Sequence, residues 1–363
     1  MRIAFYGSSL VSAYWNGAAT YYRGLLRHLA ALGHEITFLE PDAFGRQENR
    51  DIEPPDWARV VVWEATPEGL EVALGHAALA DLVVKASGVG VFDDALLAGV
   101  LERSRPEAVR VFWDVDAPAT LAAMRETPDH PLRRALPSLD AVFTYGGGDP
   151  VVRAYRGFGA RVCEPVYNGL DTTTHFPVPA NARFRADLAF LGNRLPDREA
   201  RVHAFFLEAA RRLPGHRFLL GGSGWDDVDL PANVARLGHV PTRDHNAFNA
   251  TPLAVLNIAR DSMAQVGFSP ATRVFEAAGA GACLITDQWE GIEMFLEPGT
   301  EVLVARDGAE VAAHLAALDR KRAAAIGRRA LARVRRAHSY ERRAAEVDLH
   351  LRRLVDDRRR VDA

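Results

Sequence analysis

Residues suited to binding an anionic ligand are concentrated in one stretch, residues 269–287, which reads SPATRVFEAAGAGACLITD. Ser269 and Pro270 are typical of the N-cap and the first residue of a helix. The amides that follow, including that of Thr272, would then face a ligand, and the positive end of the helix dipole would favour a phosphate. The sequence therefore predicts a phosphate-binding helix start at Ser269.

Glu276 and Arg273 lie three residues apart in this stretch, on the same face of the predicted helix. Glu276 could accept hydrogen bonds from a ligand. Alternatively, the two side chains could form an ordinary surface ion pair, which would contribute only about 0.2 to 0.5 kcal/mol to stability.

Further cationic candidates follow predicted strands, where ligands bind in open α/β sheets. Asn193, Arg194 and Arg198 follow one apolar run, and Arg260 follows another. A planar guanidinium neutralises a diphosphate well because it can donate two parallel hydrogen bonds. The alternative is that these residues form the solvated, arginine-rich start of a helix.

The loop after the first strand, GSSLVSAYWNG, ends at Asn16 and Gly17, directly before a predicted helix. These residues could approach a phosphate at the helix N-terminus, or they could form a surface turn. The loop lacks the Gly-x-Gly-x-x-Gly pattern of dinucleotide-binding proteins, which argues against an oxidoreductase.

Asp114 and Asp116 follow an apolar strand in the N-terminal half. One of these carboxylates could act as the catalytic base that accepts the proton of an attacking hydroxyl. Two alternatives are a divalent metal site and a strand end that caps the helix beginning near Pro118. We expect one of the two carboxylates to act as this base, on the side of the molecule that binds the attacking hydroxyl (the acceptor), with no metal bound.

All these residues require a scaffold of alternating strands and helices. Short apolar runs, typical of buried strands, recur along both halves of the chain, with helical periodicity between them. The predicted strands are 3–6, 36–39, 60–63, 82–84, 109–113 and 141–144, then 188–191, 218–220, 234–237, 253–258, 283–286 and 302–304. This alternation predicts two parallel α/β sheets, because parallel connections need a long crossover.

The chain resembles a known enzyme group most strongly over residues 188–343. The segments RVFEAAGAGACLITD, EGIE, LAFLGNRLPDR, LGHVP, LNIARD and HSYERR resemble the donor-binding half of GT-B glycosyltransferases, most closely the spore-maturation CgeB-like group. The N-terminal half matches in outline, through the WNGAAT loop and Gly33-His34. This resemblance implies an α/β fold of the GT-B type, with two Rossmann-like doubly wound domains facing across a cleft.

We expect a Rossmann-like acceptor-side domain over residues 1–170 and a Rossmann-like nucleotide-sugar donor domain over 171–340. Between them, residues 167–182 carry Asn-Gly and two prolines, which is typical of a linker. Residues 341–363 form a basic amphipathic helix, which we expect to return to the N-terminal domain. Contact of this helix with an anionic membrane is a less favoured alternative.

The resemblance also implies the roles of individual residues. In the family pattern, the equivalent of Glu276 binds the ribose hydroxyls of a nucleotide sugar, and the helix start binds its diphosphate. His239 and Val240 lie in the LGHVP segment, where the family pattern has backbone groups that contact the nucleotide base.

The predicted function is transfer of a hexose from a nucleotide-diphosphate sugar, with a UDP-sugar favoured, to an acceptor hydroxyl, without a metal or other cofactor. The alternatives are a sugar-nucleotide epimerase or phosphorylase of the same fold, and a non-catalytic nucleotide-sugar-binding protein.

The composition adds constraints on partners and location. The net charge of −3, from 44 basic and 47 acidic residues, does not favour binding to nucleic acid. The excess of arginine over lysine suggests a high-GC bacterial genome. With two cysteines, no signal-peptide pattern at the N-terminus and no long apolar run, we expect a cytoplasmic protein.

Overall fold

The computed structural model describes residues 1–14 and 16–361, and these form two compact units. Unit 1 comprises Met1–Tyr167 together with the C-terminal segment from Tyr340, and unit 2 comprises Asn168–Ser339. Trp15 of the WNGAAT loop and the last two residues of the predicted C-terminal helix, 362–363, lie outside the described residues.

The described residues of unit 1 contain a seven-stranded parallel sheet in the order β3-β2-β1-β4-β5-β6-β7. Its strands are β1 Arg2–Tyr6, β2 Glu35–Asp42, β3 Ala58–Glu64, β4 Leu82–Ala86, β5 Val109–Asp114, β6 Ala141–Thr144 and β7 Cys163–Pro165. β4 is buried along its whole length, as expected for a central parallel strand covered on both faces. The strand β7 was not predicted, because its three residues contain no apolar run.

Helices cover both faces of this sheet. They are α1 Ala18–Ala31, α2 Pro67–Leu74, α3 Asp93–Arg103, α4 Ala117–Glu126, α5 Pro131–Ala135, α6 Gly148–Gly157 and the C-terminal α14 Tyr340–Val361, with 3-10 turns at Ala77–Leu79 and Leu136–Ser138. Helix α14 packs against α1, and its apolar stripe of Val347, Leu351 and Leu354 is buried in the unit 1 core. The prediction that this helix returns to the N-terminal domain is confirmed.

The described residues of unit 2 contain a six-stranded parallel sheet in the order β10-β9-β8-β11-β12-β13. Its strands are β8 Leu188–Leu191, β9 Phe218–Gly221, β10 Val234–Gly238, β11 Ala254–Asn257, β12 Leu284–Asp287 and β13 Leu303–Ala305. Each corresponds to a predicted apolar run, and strand ends differ from the prediction by one residue at most.

The helices of unit 2 complete a second doubly wound fold. They are α7 Pro196–Val202, α8 Glu208–Arg212, α9 His245–Ala250, α10 Asp261–Val266, α11 Thr272–Gly279, α12 Gly308–Ala316 and α13 Arg320–Ala337. A π-helical turn, His203–Leu207, joins α7 to α8, and 3-10 turns lie at Ala182–Phe184, Thr242–Asp244 and Ile292–Met294. Among the residues described, no helix is long and apolar enough to cross a lipid bilayer.

The strand order of each sheet defines where a ligand can bind. In unit 2, the chain runs outward from β8 to β9 and β10, then returns to β11 on the other side of β8. The loops after β8 and β11 therefore diverge at a topological switch point, the usual binding crevice of an open α/β sheet. The predicted residues Asn193 to Arg198 and Arg260 follow these two strands.

Candidate functional site

The turn after β8 is built by close backbone packing. Gly222 has a positive φ of 117°, and a Cβ atom there would lie 2.2 Å from the carbonyl oxygen of Gly192. The same carbonyl oxygen accepts a hydrogen bond from Trp225 Nε1 at 2.8 Å. Asn193 Oδ1 accepts a hydrogen bond from the Ser223 amide at 3.0 Å. The side chain of Asn193 thus holds the neighbouring loop in place.

Arg194 binds two carboxylates beside this turn. Its guanidinium lies 2.6 Å from Glu199 and 2.8 Å from Asp227. Hydrogen bonds to these two groups raise the pKa of Arg194. In this arrangement the Arg194 side chain links its own loop to α7 and to the loop after β9. Its predicted contact with a diphosphate stays a prediction.

Arg198 lies in α7, next to this turn. Its guanidinium packs over the Phe190 ring at 5.9 Å and donates to the Asn193 carbonyl oxygen, while its Nε has no hydrogen-bond partner among the described residues. Burial, followed by the nearby charges of Arg273 and Arg260, lowers the pKa of Arg198 to about 10, although Asp197 acts in the opposite direction. The positive charges of these side chains are therefore close enough to repel one another.

We call Arg198, Arg260 and Arg273 the arginine cluster. Arg260 follows β11 and forms an ion pair with Asp197 at 2.6 Å. Arg273 stands in the first turn of α11. Asp197 and Glu276 offset part of this positive charge, and guanidinium groups brought together in this way are suited to binding a phosphate group.

Helix α11 begins later than the sequence predicts. Its first residue is Thr272, and the N-cap is Ala271 instead of Ser269. The Ser269 hydroxyl donates to the Gly267 carbonyl oxygen at 2.9 Å. The chain is held away from the helical path here because Gly267 and Phe268 both have positive φ, 73° and 47°. The predicted cap at Ser269 is therefore wrong.

The start of α11 nevertheless has backbone amides that could bind an anion. Ala271 has no side-chain acceptor, so it leaves the amides of the first turn, among them that of Thr272, without a side-chain cap. Asn168 Nδ2 donates to the Pro270 carbonyl oxygen at 2.9 Å and fixes the approach to the helix.

Glu276 and Arg273 form an ion pair at 3.1 Å, with only 14% and 18% of their side chains exposed. The pair is therefore not an exposed surface contact. Burial alone would raise the pKa of Glu276, but Arg273, followed by His175 and His245, lowers it below the ordinary value. The Glu276 carboxylate is thus held ionised beside the arginine cluster.

Two histidines that belong to no predicted site lie near Glu276, with one atom of each within 4.8 Å of a Glu276 carboxylate oxygen. His175 Nε2 lies 4.0 Å from Glu276 Oε1, and His245 begins α9 nearby. Burial, with the charge of Arg273 next in size, lowers the pKa of His245 to about 4. Neither histidine belongs to a recognisable motif, and only the tertiary fold brings them together.

A largely buried ion pair joins α7 to the end of β12. Arg201 lies 2.6 Å from Asp287, whose side chain is fully buried. Asp287 also accepts a hydrogen bond from the Ala259 amide at 3.0 Å, which fixes the loop that leads from β11 to Arg260. Asp287 ends the stretch 269–287 without an assigned role, and Arg201 belongs to no motif singled out from the sequence.

His239 and Val240 follow β10. His239 is exposed, whereas Val240 is buried and its carbonyl oxygen lies 3.1 Å from His245 Nε2. The predicted contact between the backbone of His239 and Val240 and a nucleotide base stays a prediction.

Asn16 and Gly17 lie in unit 1. The Asn16 side chain is buried and bound within its own loop: it accepts from Ser8 Oγ at 3.0 Å and donates to the carbonyl oxygens of Ser9 and Ser12 at 3.1 Å. Gly17 is the N-cap of α1, and a Cβ atom there would meet nothing within 4 Å. Of the two, only Gly17 has open space beside it.

Asp114 lies at the end of β5 and has no solvent exposure. It accepts hydrogen bonds from Ser87 Oγ, Thr120 Oγ1, Tyr155 Oη and the Asp116 amide. Burial raises the pKa of Asp114, although these donors favour its ionised form. These contacts fix the turn from β5 into α4.

Asp116 has different surroundings from Asp114. It is the N-cap of α4, is half-buried, and its side chain makes no capping hydrogen bond. The acceptor-side role predicted for these two carboxylates stays a prediction.

Comparison with known proteins finds a family match over most of unit 2 and the start of α14. Residues 198–348, which include the arginine cluster and Glu276, match a family model described as "Glycosyl transferase-like". The predicted enzyme class, glycosyltransferase, is confirmed by this match together with the fold. No curated protein sequence matches the chain.

Solved structures match the chain along nearly its whole length. Sucrose-phosphate synthase from Thermosynechococcus elongatus has 14% identity and a TM-score of 0.74, with 98% of this chain and 100% of that chain covered. Anabaena HepE, in complex with UDP and glucose, has 15% identity and a TM-score of 0.67, with 97% and 99% covered.

A third structure is AviGT4, a glycosyltransferase involved in avilamycin A biosynthesis. It has 19% identity and a TM-score of 0.62, with 98% of both chains covered. At these identities the similarity establishes the fold. The chain has the GT-B architecture, with two Rossmann-like units, as the sequence predicted.

Proposed function

We propose that the protein transfers a hexose from a UDP-sugar to an acceptor hydroxyl, and that unit 2 binds the donor. The observation that carries this proposal is the largely buried, ionised carboxylate of Glu276 at 3.1 Å from Arg273, beside the rest of the arginine cluster. A nucleoside diphosphate carries both kinds of partner that this arrangement needs: hydroxyls for a carboxylate and phosphates for guanidinium groups.

Glu276 and the arginine cluster have different roles in the proposed reaction. Glu276 accepts hydrogen bonds from the ribose hydroxyls and orients the donor. Arg198, Arg260 and Arg273, with the uncapped amides at the start of α11, stabilise the negative charge that develops on the leaving UDP. Charge stabilisation that is organised in advance is usually the largest single contribution to catalysis.

UDP is proposed as the nucleotide because HepE, which shares the fold, is described in complexes with UDP and with UDP-glucose. The assignment to the CgeB-like group is part of the same proposal and is supported by the sequence segments of residues 188–343 quoted above. On the acceptor side, we propose Asp116 as the catalytic base, because Asp114 is fully buried and engaged in the β5–α4 turn.

The experiment that tests this function has two steps. A thermal-shift panel of nucleoside diphosphates should single out UDP, because a ligand at a hundredfold over its Kd stabilises the folded state by about 2.7 kcal/mol. A product assay with UDP-sugars, with and without candidate acceptors, then separates the alternatives. An epimerase changes the sugar without an acceptor, a phosphorylase requires phosphate, and a non-catalytic protein binds the donor without turnover.

The proposal includes independence from metal ions. Because the arginine cluster supplies the positive charge, donor binding and transfer should survive an excess of chelator. The measurement is transfer rate with chelator and with added Mg²⁺ or Mn²⁺. Complete loss of activity on chelation, restored by either ion, would contradict this part of the proposal.

A further inference from the structure

Three metal-ligating side chains converge in unit 2. His175, His245 and Glu276, which we call the His-His-Glu cluster, each place one ring nitrogen or carboxylate oxygen within 4.8 Å of the other two. They come from different parts of the chain: the segment before β8, the start of α9 and the middle of α11. The convergence is therefore a product of the tertiary fold.

The surroundings of His175 are compatible with a lone pair on Nε2. Thr174 Oγ1 lies 2.9 Å from His175 Nδ1, and it can accept a hydrogen bond from Nδ1 while its own hydroxyl donates to the Asp171 carbonyl oxygen at 3.4 Å. In that tautomer His175 Nε2 carries the lone pair. The residue is only 7% exposed, and Nε2 has no hydrogen-bond partner among the described residues, although it lies 4.0 Å from Glu276 Oε1.

His245 is oriented in a similar way. Its Nε2 lies 3.1 Å from the Val240 carbonyl oxygen, which can only accept, so Nε2 carries the proton and Nδ1 the lone pair. A hydrogen bond from one ring nitrogen to a backbone carbonyl is also what orients histidines that bind metals.

Two imidazoles and one carboxylate form a ligand set that suits Zn²⁺ and similar divalent cations. Ligand atoms around a tetrahedral Zn²⁺ lie about 3.4 Å apart, given bonds of roughly 2.0 to 2.1 Å. The cluster would therefore have to contract by about 1 Å to bind the ion. Glu276 Oε1 faces His175, whereas Oε2 faces Arg273, so a single carboxylate oxygen is available.

We propose that the His-His-Glu cluster is a binding site for a borderline divalent cation such as Zn²⁺, and that a bound cation inhibits the enzyme by removing Glu276 from the donor. The second part rests on the proposed function. The positive charge of Arg273 opposes the cation, so the site has moderate affinity and differs from a permanent structural site. The cation takes no part in sugar transfer.

The first test measures cation binding to the full chain without nucleotide. Co²⁺, an analogue of Zn²⁺ with visible absorption, is titrated into wild type, His175→Gln, His245→Gln and the control His216→Gln, whose side chain lies outside the cluster. We expect one equivalent to bind to wild type and to the control, with at least tenfold weaker binding to the two cluster variants. Equal binding by all four proteins, or none by wild type, would overturn the proposal.

A second variant keeps the test decisive if a histidine substitution prevents folding. Arg273→Gln removes the charge that opposes the cation, so Co²⁺ should bind several-fold more tightly, whereas the proposed donor function predicts weaker UDP binding. An unchanged or weaker affinity for Co²⁺ would contradict the site.

The link to the donor is tested with uridine, which keeps the ribose hydroxyls but lacks metal-binding phosphates. Saturating uridine should raise the apparent Kd for Co²⁺. Cation binding that uridine does not affect would contradict the inhibitory role. Because the first test contains no nucleotide, failure of the cation site is distinguishable from failure of the donor function.

Discussion

At the residue scale, Asp114 and Asp116 show how two neighbouring carboxylates can have different roles. Asp114→Ala would leave the buried Tyr155 hydroxyl without its acceptor, at a cost of about 1 to 3 kcal/mol, whereas the hydroxyls of Ser87 and Thr120 are only partly buried. We therefore expect the free energy of unfolding to fall by about 1 to 3 kcal/mol, measured by urea denaturation. Asp116→Asn should slow transfer by roughly 10²- to 10⁴-fold at nearly unchanged stability and UDP affinity.

The exposed Asp149 provides the control for Asp114, because Asp149→Ala removes a carboxylate whose side chain is 87% exposed. Its stability should stay within about 0.5 kcal/mol of wild type. A stable Asp114→Ala variant would contradict the structural role of Asp114, and an unchanged transfer rate in Asp116→Asn would contradict the proposed base.

His245 is expected to make stability depend on pH. Its pKa is lowered to about 4 by burial, followed by the charge of Arg273, with Glu276 and His175 also facing it. The unfolded chain therefore binds a proton between about pH 6.5 and 4 that the folded protein does not, so stability falls as the pH decreases. At pH 5 the loss should be about 2 kcal/mol relative to neutral pH.

Urea denaturation at pH 7.5 and pH 5.0 measures this effect. His245→Gln should show a flatter pH dependence than wild type, whereas His216→Gln should resemble wild type. An identical pH dependence in all three proteins would show that His245 is not held neutral by its surroundings.

At the element scale, the packing of α14 on α1 depends on a single small residue. A Cβ atom on Gly24 would lie 2.2 Å from the ring of Tyr340, which is itself buried. Gly24→Ala should therefore destabilise the protein by about 1 to 2 kcal/mol, since overpacking costs about 1 to 3 kcal/mol and improved helix propensity returns up to about 1 kcal/mol. The midpoint of thermal unfolding checks this expectation.

Gly157→Ala is the matched control, because Gly157 also lies in a helix of unit 1 but a Cβ atom there would meet nothing within 4 Å. This variant should be as stable as wild type or more so. If Gly24→Ala were equally stable, the close contact between α1 and Tyr340 would not be important for unit 1.

The elements also show what sequence patterns can and cannot predict. Buried parallel strands such as β4 are apolar on both faces, so their positions are visible as continuous runs. The start of α11 was placed two residues too early because Ser269 and Pro270 are good local helix-start signals. The positive φ angles at Gly267 and Phe268, which the local pattern does not encode, delay the helix.

Side-chain partnerships of the candidate site were harder to predict than its location. The sequence places Glu276 and Arg273 on one helical face, and the ion pair at 3.1 Å follows from that spacing. His175 is 101 residues from Glu276 in the sequence, and no spacing rule relates them. Contacts of this kind depend on how the loops pack, so they become visible only in the structure.

At the scale of the whole molecule, the chain forms unit 1, then unit 2, then returns to unit 1 through α14. The two series of apolar runs predicted two α/β units, and the stripe on the last helix predicted its return. The proposed donor residues Arg198, Arg260, Arg273 and Glu276 all lie in unit 2, within Asn168–Ser339. We therefore expect unit 2 to determine donor binding.

The central claim, that Glu276 binds the donor, is tested most directly by calorimetric titration of UDP into wild type, Glu276→Gln and Glu208→Gln. Glu208 is the matched control because it also pairs with an arginine, Arg212 at 2.8 Å, but its side chain is 39% exposed. We predict that Glu276→Gln, which loses charge-assisted hydrogen bonds to ribose, binds UDP at least tenfold more weakly, a change of about 1.4 kcal/mol or more. Glu208→Gln should bind UDP as wild type does. Folded Glu276→Gln protein with wild-type affinity for UDP would contradict this claim.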